Sequence, residues 1–266
     1  MIVDVNGASA YAYTAGTQPG GGAPVAVFIH GAANDHSVWT AQARHLAQQD
    51  IPAMAIDLPG HGRSAGSLLP GVEDMAGWLL ALLRAAGVGP ALLIGHSMGS
   101  LIALEAAARA PQPIAGLALV GSTYPMRVSP ALLEQAQHDE AAAIDMVNLW
   151  SHADHFGGPP GTWTLGVARR LMQRMAPGVL HTDLAACNAY AGGEAAARAL
   201  TCPVHFVFGR LDMMTPPRST KTLTAAMPHA SSVTLEAGHD LMAEQAEALA
   251  AELAGFAARV LGVLNR

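Results

Sequence analysis

The chain has 266 residues, 51 % of them hydrophobic, and a net charge of −6, which suits one large α/β domain with a substantial core. Its 14 Lys and Arg residues are scattered and form no basic stripe, which argues against a nucleic-acid partner. Gly, Pro, His or Arg cuts every apolar run before roughly 18 residues, the length a membrane span needs, so no membrane-spanning helix is expected.

The opening MIVDVNGASAYAYT carries no basic n-region and no continuous apolar run. It reads as two short strands about an Asn-Gly turn, and a cytoplasmic address is expected. The aliphatic run VAVFI at 25–29 predicts a buried strand. It ends in His30-Gly31 and small residues, so the Ala32 N–H can approach a bound carbonyl; His30 itself is expected to be structural, its ring hydrogen-bonded beneath the loop. VWTAQARHLAQQ at 38–49 predicts a helix, AMAI at 53–56 a strand, and EDMAGWLLALLRAAG at 73–87 a second helix.

Next comes ALLIGHSMGSLIALEAAARA, residues 91–110, in which a buried strand passes through Gly95-His96-Ser97-Met98-Gly99 into a helix. A corner this tight strains its central residue and is tolerated only where the flanking residues have no side chains to collide. Gly95 and Gly99 supply that space, and Ser97 is presented at a helix N-terminus whose first N–H groups are unpaired. This is the G-x-S-x-G pattern of a nucleophile elbow, with the Met98 N–H joining Ala32 as an oxyanion donor.

After the strand GLALVG at 116–121 the alternation of strands and helices stops. Residues 123–200 form alanine-, methionine- and leucine-rich helical segments, expected as a helical cap inserted into a core made of 1–122 and 201–266. The insertion would lie over the carboxyl edge of the sheet, where such folds bind ligands. Trp150 and Trp163 in this segment, with Trp39 before it, are candidate walls of an apolar pocket, each competing with a place in the core. SHADHFGG at 151–158 resembles part of the H-x-H-x-D-H zinc motif of metallo-β-lactamase-like hydrolases. Trp150 occupies the first histidine position, leaving a partial ligand shell, so no metal is expected. Cys187 and Cys202 lack CxxC spacing and are expected as reduced thiols.

A hydroxyl becomes a useful nucleophile when a base takes its proton and an acid holds that base in the right tautomer. VHFVFG at 204–209 predicts a strand with Asp212 in the following loop, and SVTL at 232–235 predicts another with His239 after it. Strand ends of one parallel sheet share an edge, so Ser97, Asp212 and His239 are expected to meet in the order acid then histidine. His61 and His96 also lie near that edge. His96 should point away from the Ser97 hydroxyl, and His61 should make backbone hydrogen bonds.

Together HGAANDHSVW, DLPGHGRS, GHSMGS, GRLDMMTP and GHDLM resemble the α/β-hydrolase fold with a helical cap, from the first buried strand to the last helix. The resemblance implies a mostly parallel eight-stranded sheet flanked by helices. It also implies a Ser97–Asp212–His239 triad with an Ala32 and Met98 oxyanion hole, and a cofactor-independent serine hydrolase. The substrate expected is a small or medium apolar ester. Haloalkane dehalogenases and epoxide hydrolases share the architecture but carry Asp at the elbow, so Ser97 argues against both. Lactonases, carbon–carbon bond hydrolases and small-molecule receptors with slow turnover use the same residues and stay open as alternatives, as does the oligomeric state.

Overall fold

The computed structural model describes residues 1–153 and 162–262; within these, the side chains of residues 162–164 are also left undescribed. Strands β1 (Ile2–Val5) and β2 (Ala8–Tyr13) form a hairpin closed by Asn6 and Gly7, at φ 55° and 85°, the left-handed pair that a two-residue turn of this type requires. Strands β3 (Val25–Ile29), β4 (Ala53–Ile56), β5 (Ala91–His96), β6 (Ile114–Val120), β7 (Val204–Gly209) and β8 (Ser231–Leu235) complete one eight-stranded sheet in the order β1-β2-β4-β3-β5-β6-β7-β8. The β1–β2 and β2–β4 pairs are antiparallel and the rest parallel.

Strands without polar alternation need apolar cover on both faces, and period-2 geometry sends neighbouring residues to opposite sides. Val27, Ile29 and Leu93 join one core cluster with Leu79 of helix α2 (Val72–Ala85) and Leu101 of α3 (Met98–Arg109). Ala26, Phe28, Leu92 and Ile94 join the other, under Leu46 of α1 (Thr40–Ala47) and Leu253 of the C-terminal helix. The expected first helix is thus a 3-10 turn, His36–Trp39, followed by α1. The chain leaves β3 for β4 on one side and returns to β5 on the other. A crevice opens at such a switch point, beyond the strands' carboxyl ends.

Between β6 and β7 run α4 (Pro130–His138), α5 (Glu140–Ser151), α6 (Thr162–Met172), α7 (Val179–Ala189) and α8 (Gly193–Ala199). Helices α4 to α7 share a third, smaller cluster that includes Ile144, Val147, Leu180, Leu184 and, from the loop after β3, Ala33, whereas Ala196 and Ala197 of α8 join the first cluster. Helices α9 (Lys221–Ala226), α10 (Leu241–Glu244) and α11 (Ala246–Leu261) finish the fold. Among the described residues no helix is long and apolar enough to cross a membrane. Cys187 and Cys202 are free thiols.

Candidate active site

Ser97 joins β5 to α3 with φ 52° and ψ −119°, a region that a residue with a side chain enters only under strain. Its surroundings enforce the turn. A Cβ on Gly95 would come within 2.2 Å of the Gly99 carbonyl oxygen, and one on Gly99 within 2.4 Å of that of Ile29. The Ser97 N–H donates to the Val120 carbonyl at 3.0 Å, which ties the corner to the neighbouring strand end.

Asp212 follows β7 and is buried. Its Oδ1 accepts from the Met214 and Thr215 N–H groups at 2.8 and 2.7 Å. Its Oδ2 accepts from the Thr215 hydroxyl at 2.7 Å and from His239 Nδ1 at 2.8 Å. Burial alone would raise the Asp212 carboxyl; the His239 charge and these donors outweigh it and hold the pKa below the ordinary carboxylate value. With Nδ1–H committed to a carboxylate, His239 presents a bare Nε2, the tautomer that can accept a proton. Two backbone bonds fix the His239 loop, whose residue 239 and 240 N–H groups both donate to the Ser151 carbonyl, at 2.7 and 3.1 Å. Gly121, at φ 53°, gives the ring room, since a Cβ there would stand 3.2 Å from it.

The loop after β3 passes against the elbow: a Cβ on Gly31 would lie 3.3 Å from the Ser97 Cβ. His30 sits beneath it, its Nδ1–H donating to the Gly31 carbonyl at 2.8 Å and its Nε2 accepting the Leu58 N–H at 3.1 Å. Burial and the nearby charge of His61 push its pKa down to about 4. Met98 opens α3, and among the described residues neither its N–H nor that of Ala32 has a hydrogen-bond acceptor.

His96 is buried and also lines this side of the site; its Nε2–H donates to the His239 carbonyl at 2.9 Å. His61 makes the expected backbone bond, Nδ1–H to the Pro59 carbonyl at 3.0 Å, and also reaches Asp183 on α7 at 2.9 Å. Neither Asp183 nor Thr215 stood out in the sequence. An Asp-x-x-Thr spacing after a buried strand marks Thr215; for Asp183 the only signal is a carboxylate among apolar helix residues.

Ser97, His239 and Ala32 all line one cavity of about 470 Å³, walled further by Val147, Leu171, Met172, Leu180 and Met214. Two of the three tryptophans expected there, Trp39 and Trp150, are elsewhere. Trp39 is wholly buried against Phe28, ring centroids 5.1 Å apart, because the 3-10 turn tucks it under the sheet. Trp150 is half-buried against the helical cluster and is not a cavity wall; the Trp163 side chain lies outside the described residues. Aliphatic and methionine side chains of α5, α6 and α7 line the cavity where Trp39 and Trp150 were expected.

Of SHADHFGG, residues 154–158 also lie outside the described residues. His152 Nδ1–H donates to the Asn148 carbonyl at 2.9 Å and its Nε2 stands 3.5 Å from Asp240. Among the described residues Asp35, His36 and Asp57 are close enough together to hold a cation. The Asp57 oxygens there already accept from the His36 N–H, its ring Nδ1–H and the Arg63 N–H, so the cluster is a loop brace built from donors.

Residues 26–252 match the profile of the alpha/beta hydrolase family. RutD of Enterobacter cloacae subsp. cloacae, provisionally named a carbamate hydrolase, is 27 % identical over 229 residues, spanning 83 % of this chain and 85 % of its own. Esterase Rv0045c of Mycobacterium tuberculosis is 27 % identical over 253 residues, 86 % of this chain and 81 % of its own. The solved structure of a thermophilic esterase superposes with a TM-score of 0.82 at 25 % identity, covering 98 % of this chain and 97 % of that one.

Proposed function

The chain belongs to the alpha/beta hydrolase family, and on that premise we propose that it is a cofactor-independent serine carboxylesterase acting on small or medium apolar esters. One observation carries the reading: a serine held at a strained corner shares a cavity with a histidine whose Nδ1–H is locked onto a buried carboxylate. In this mechanism Ser97 attacks the ester carbonyl as His239 Nε2 takes its proton. Asp212 stabilises the imidazolium, and the Ala32 and Met98 N–H groups hold the oxyanion. His239 then protonates the departing alcohol, leaving an acyl group on Ser97. Water, deprotonated by the same nitrogen, releases the acid. Residues 123–200 act as a cap whose apolar side chains select the remote part of the substrate.

The test is direct. A fluorophosphonate should label the wild type at Ser97 alone, and Ser97→Ala should stay folded, take no label and lose at least about 10³-fold in kcat on p-nitrophenyl esters. Ester hydrolysis retained in pure Ser97→Ala would overturn the proposal.

A further inference from the structure

The loop that carries the Ala32 amide is held from far along the chain. Ala33 has φ 50°, a left-handed conformation that alanine rarely adopts, and at 1 % exposure its N–H has no water to turn to. The acceptor is Asp183 Oδ2 on α7, 2.8 Å away and 150 residues later in the chain. The same oxygen lies 2.9 Å from His61 Nε2, while His61 Nδ1 faces the Pro59 carbonyl. Carboxylate and carbonyl oxygens only accept, so both ring nitrogens donate and His61 is an imidazolium. Burial opposes that charge, but the Asp183 carboxylate outweighs it and raises the His61 pKa. A buried ion pair does little for stability on its own; here it supplies a fixed acceptor for one loop amide.

We propose that Asp183 is a positioning residue for the oxyanion hole, setting the Ala32 donor through its bond to the next peptide's N–H. The inference rests on the Ser97 reading and adds a residue to it. The Ala32 and Ala33 N–H groups belong to consecutive peptide planes, so clamping the second limits rotation of the first. His30 pins the preceding carbonyl, which leaves Ala32 held on both sides. Leu180 and Leu184, which flank Asp183 on α7, line the cavity. The helix that would meet the substrate's apolar part is therefore the one that sets the donor.

The experiment compares wild type with Asp183→Leu, Asp183→Ala and Asp183→Asn, each normalised to the fraction that a fluorophosphonate labels. Kinetics on p-nitrophenyl butyrate are read beside the Ki of an alkyl trifluoromethyl ketone, which forms a tetrahedral oxyanion on Ser97. Displacing an oxyanion donor should cost less than deleting one, about tenfold to hundredfold in kcat. That loss is expected in the leucine and alanine variants, with KM within about twofold and the ketone's Ki rising in parallel. Asp183→Asn keeps an acceptor oxygen for Ala33 and should recover most of the rate. Truncations with wild-type kcat and Ki, or an asparagine variant as impaired as leucine, would overturn the proposal. So would failure of both truncations to fold while asparagine folds, because Asp183 would then serve the fold alone. A wild type that takes no label at Ser97 is a different result, and it takes the esterase reading down as well.

Discussion

His96 should make the protein sensitive to mild acid, and the size of the effect follows from its surroundings. Its Nε2–H is committed to the His239 carbonyl, and its Nδ1 is buried without a partner among the described residues. A second proton would place an N–H with no acceptor 4.6 Å, ring to ring, from His239. Burial first, and then the His239 charge, push the pKa down to about 3, against 6.5 for a free histidine. A depressed histidine means that the unfolded chain binds more protons as pH falls, so stability is lost on acidification, starting near the unfolded value. Between pH 7 and 5 the unfolded group protonates almost fully and the folded one does not, a cost of about 2 kcal/mol at 1.36 kcal/mol per unit. His61, with its pKa raised, contributes in the opposite sense: its stabilisation is complete below the unfolded value and fades as pH rises through the folded one. The comparison must therefore be between variants. His96→Gln carries an amide donor for the same carbonyl but no titrating ring. Urea unfolding at the two pH values should show the variant losing about 2 kcal/mol less than wild type. An equal loss in both proteins would refute the argument, whatever the variant's stability at neutral pH.

Asp212→Asn should keep the fold and lower kcat by about 10⁴-fold, because an amide can hold the imidazole in the wrong tautomer; ester kinetics beside circular dichroism check both halves. Trp39→Ala should cost about 3–5 kcal/mol in urea unfolding without changing the order of preference among ester chain lengths. Leu171→Ala, which widens the cavity, should move that preference towards longer acyl chains, read as kcat/KM across a p-nitrophenyl ester series. Gly99→Ala should lose about 3 kcal/mol or more, since the new methyl would meet the backbone of β3.

How far the amino-acid order announced these features depends on how local their causes are. The strands at 25–29 and 53–56 and the first four residues of the strand at 91–96 are continuous apolar runs because both faces are covered, and that shows in composition alone. The corner at Ser97 is legible because its two glycines stand within two residues of it. Asp212 and His239 are legible as residues just past strand ends, and the β7–β8 pairing brings those ends together. Trp39 is not, because periodicity shows that a residue is apolar without showing whether sheet or cavity receives it. Asp183 was out of reach for a stronger reason: its partners lie 122 and 150 residues away, and no local pattern encodes a contact at that separation. Strand β6 begins at Ile114, two residues before the expected run, because Ala115 and the flexible Gly116 weaken the aliphatic signal at its start.

The carbonyl of Ser151 receives the amides of His239 and Asp240, and this bears on how such an enzyme could be recombined. The helices between β6 and β7 look like a cassette, entered and left at neighbouring strands and suited to exchange for those of a relative with other tastes in substrate. Yet the last residue of α5 is the peg on which the histidine loop hangs. A graft that delivered a new set of pocket walls without a carbonyl at that spot would leave His239 unmoored, and would test as a dead enzyme rather than one with altered preference. A working chimera would take its breakpoints inside α5, before Ser151, so that the end of the helix stays with the loop it supports.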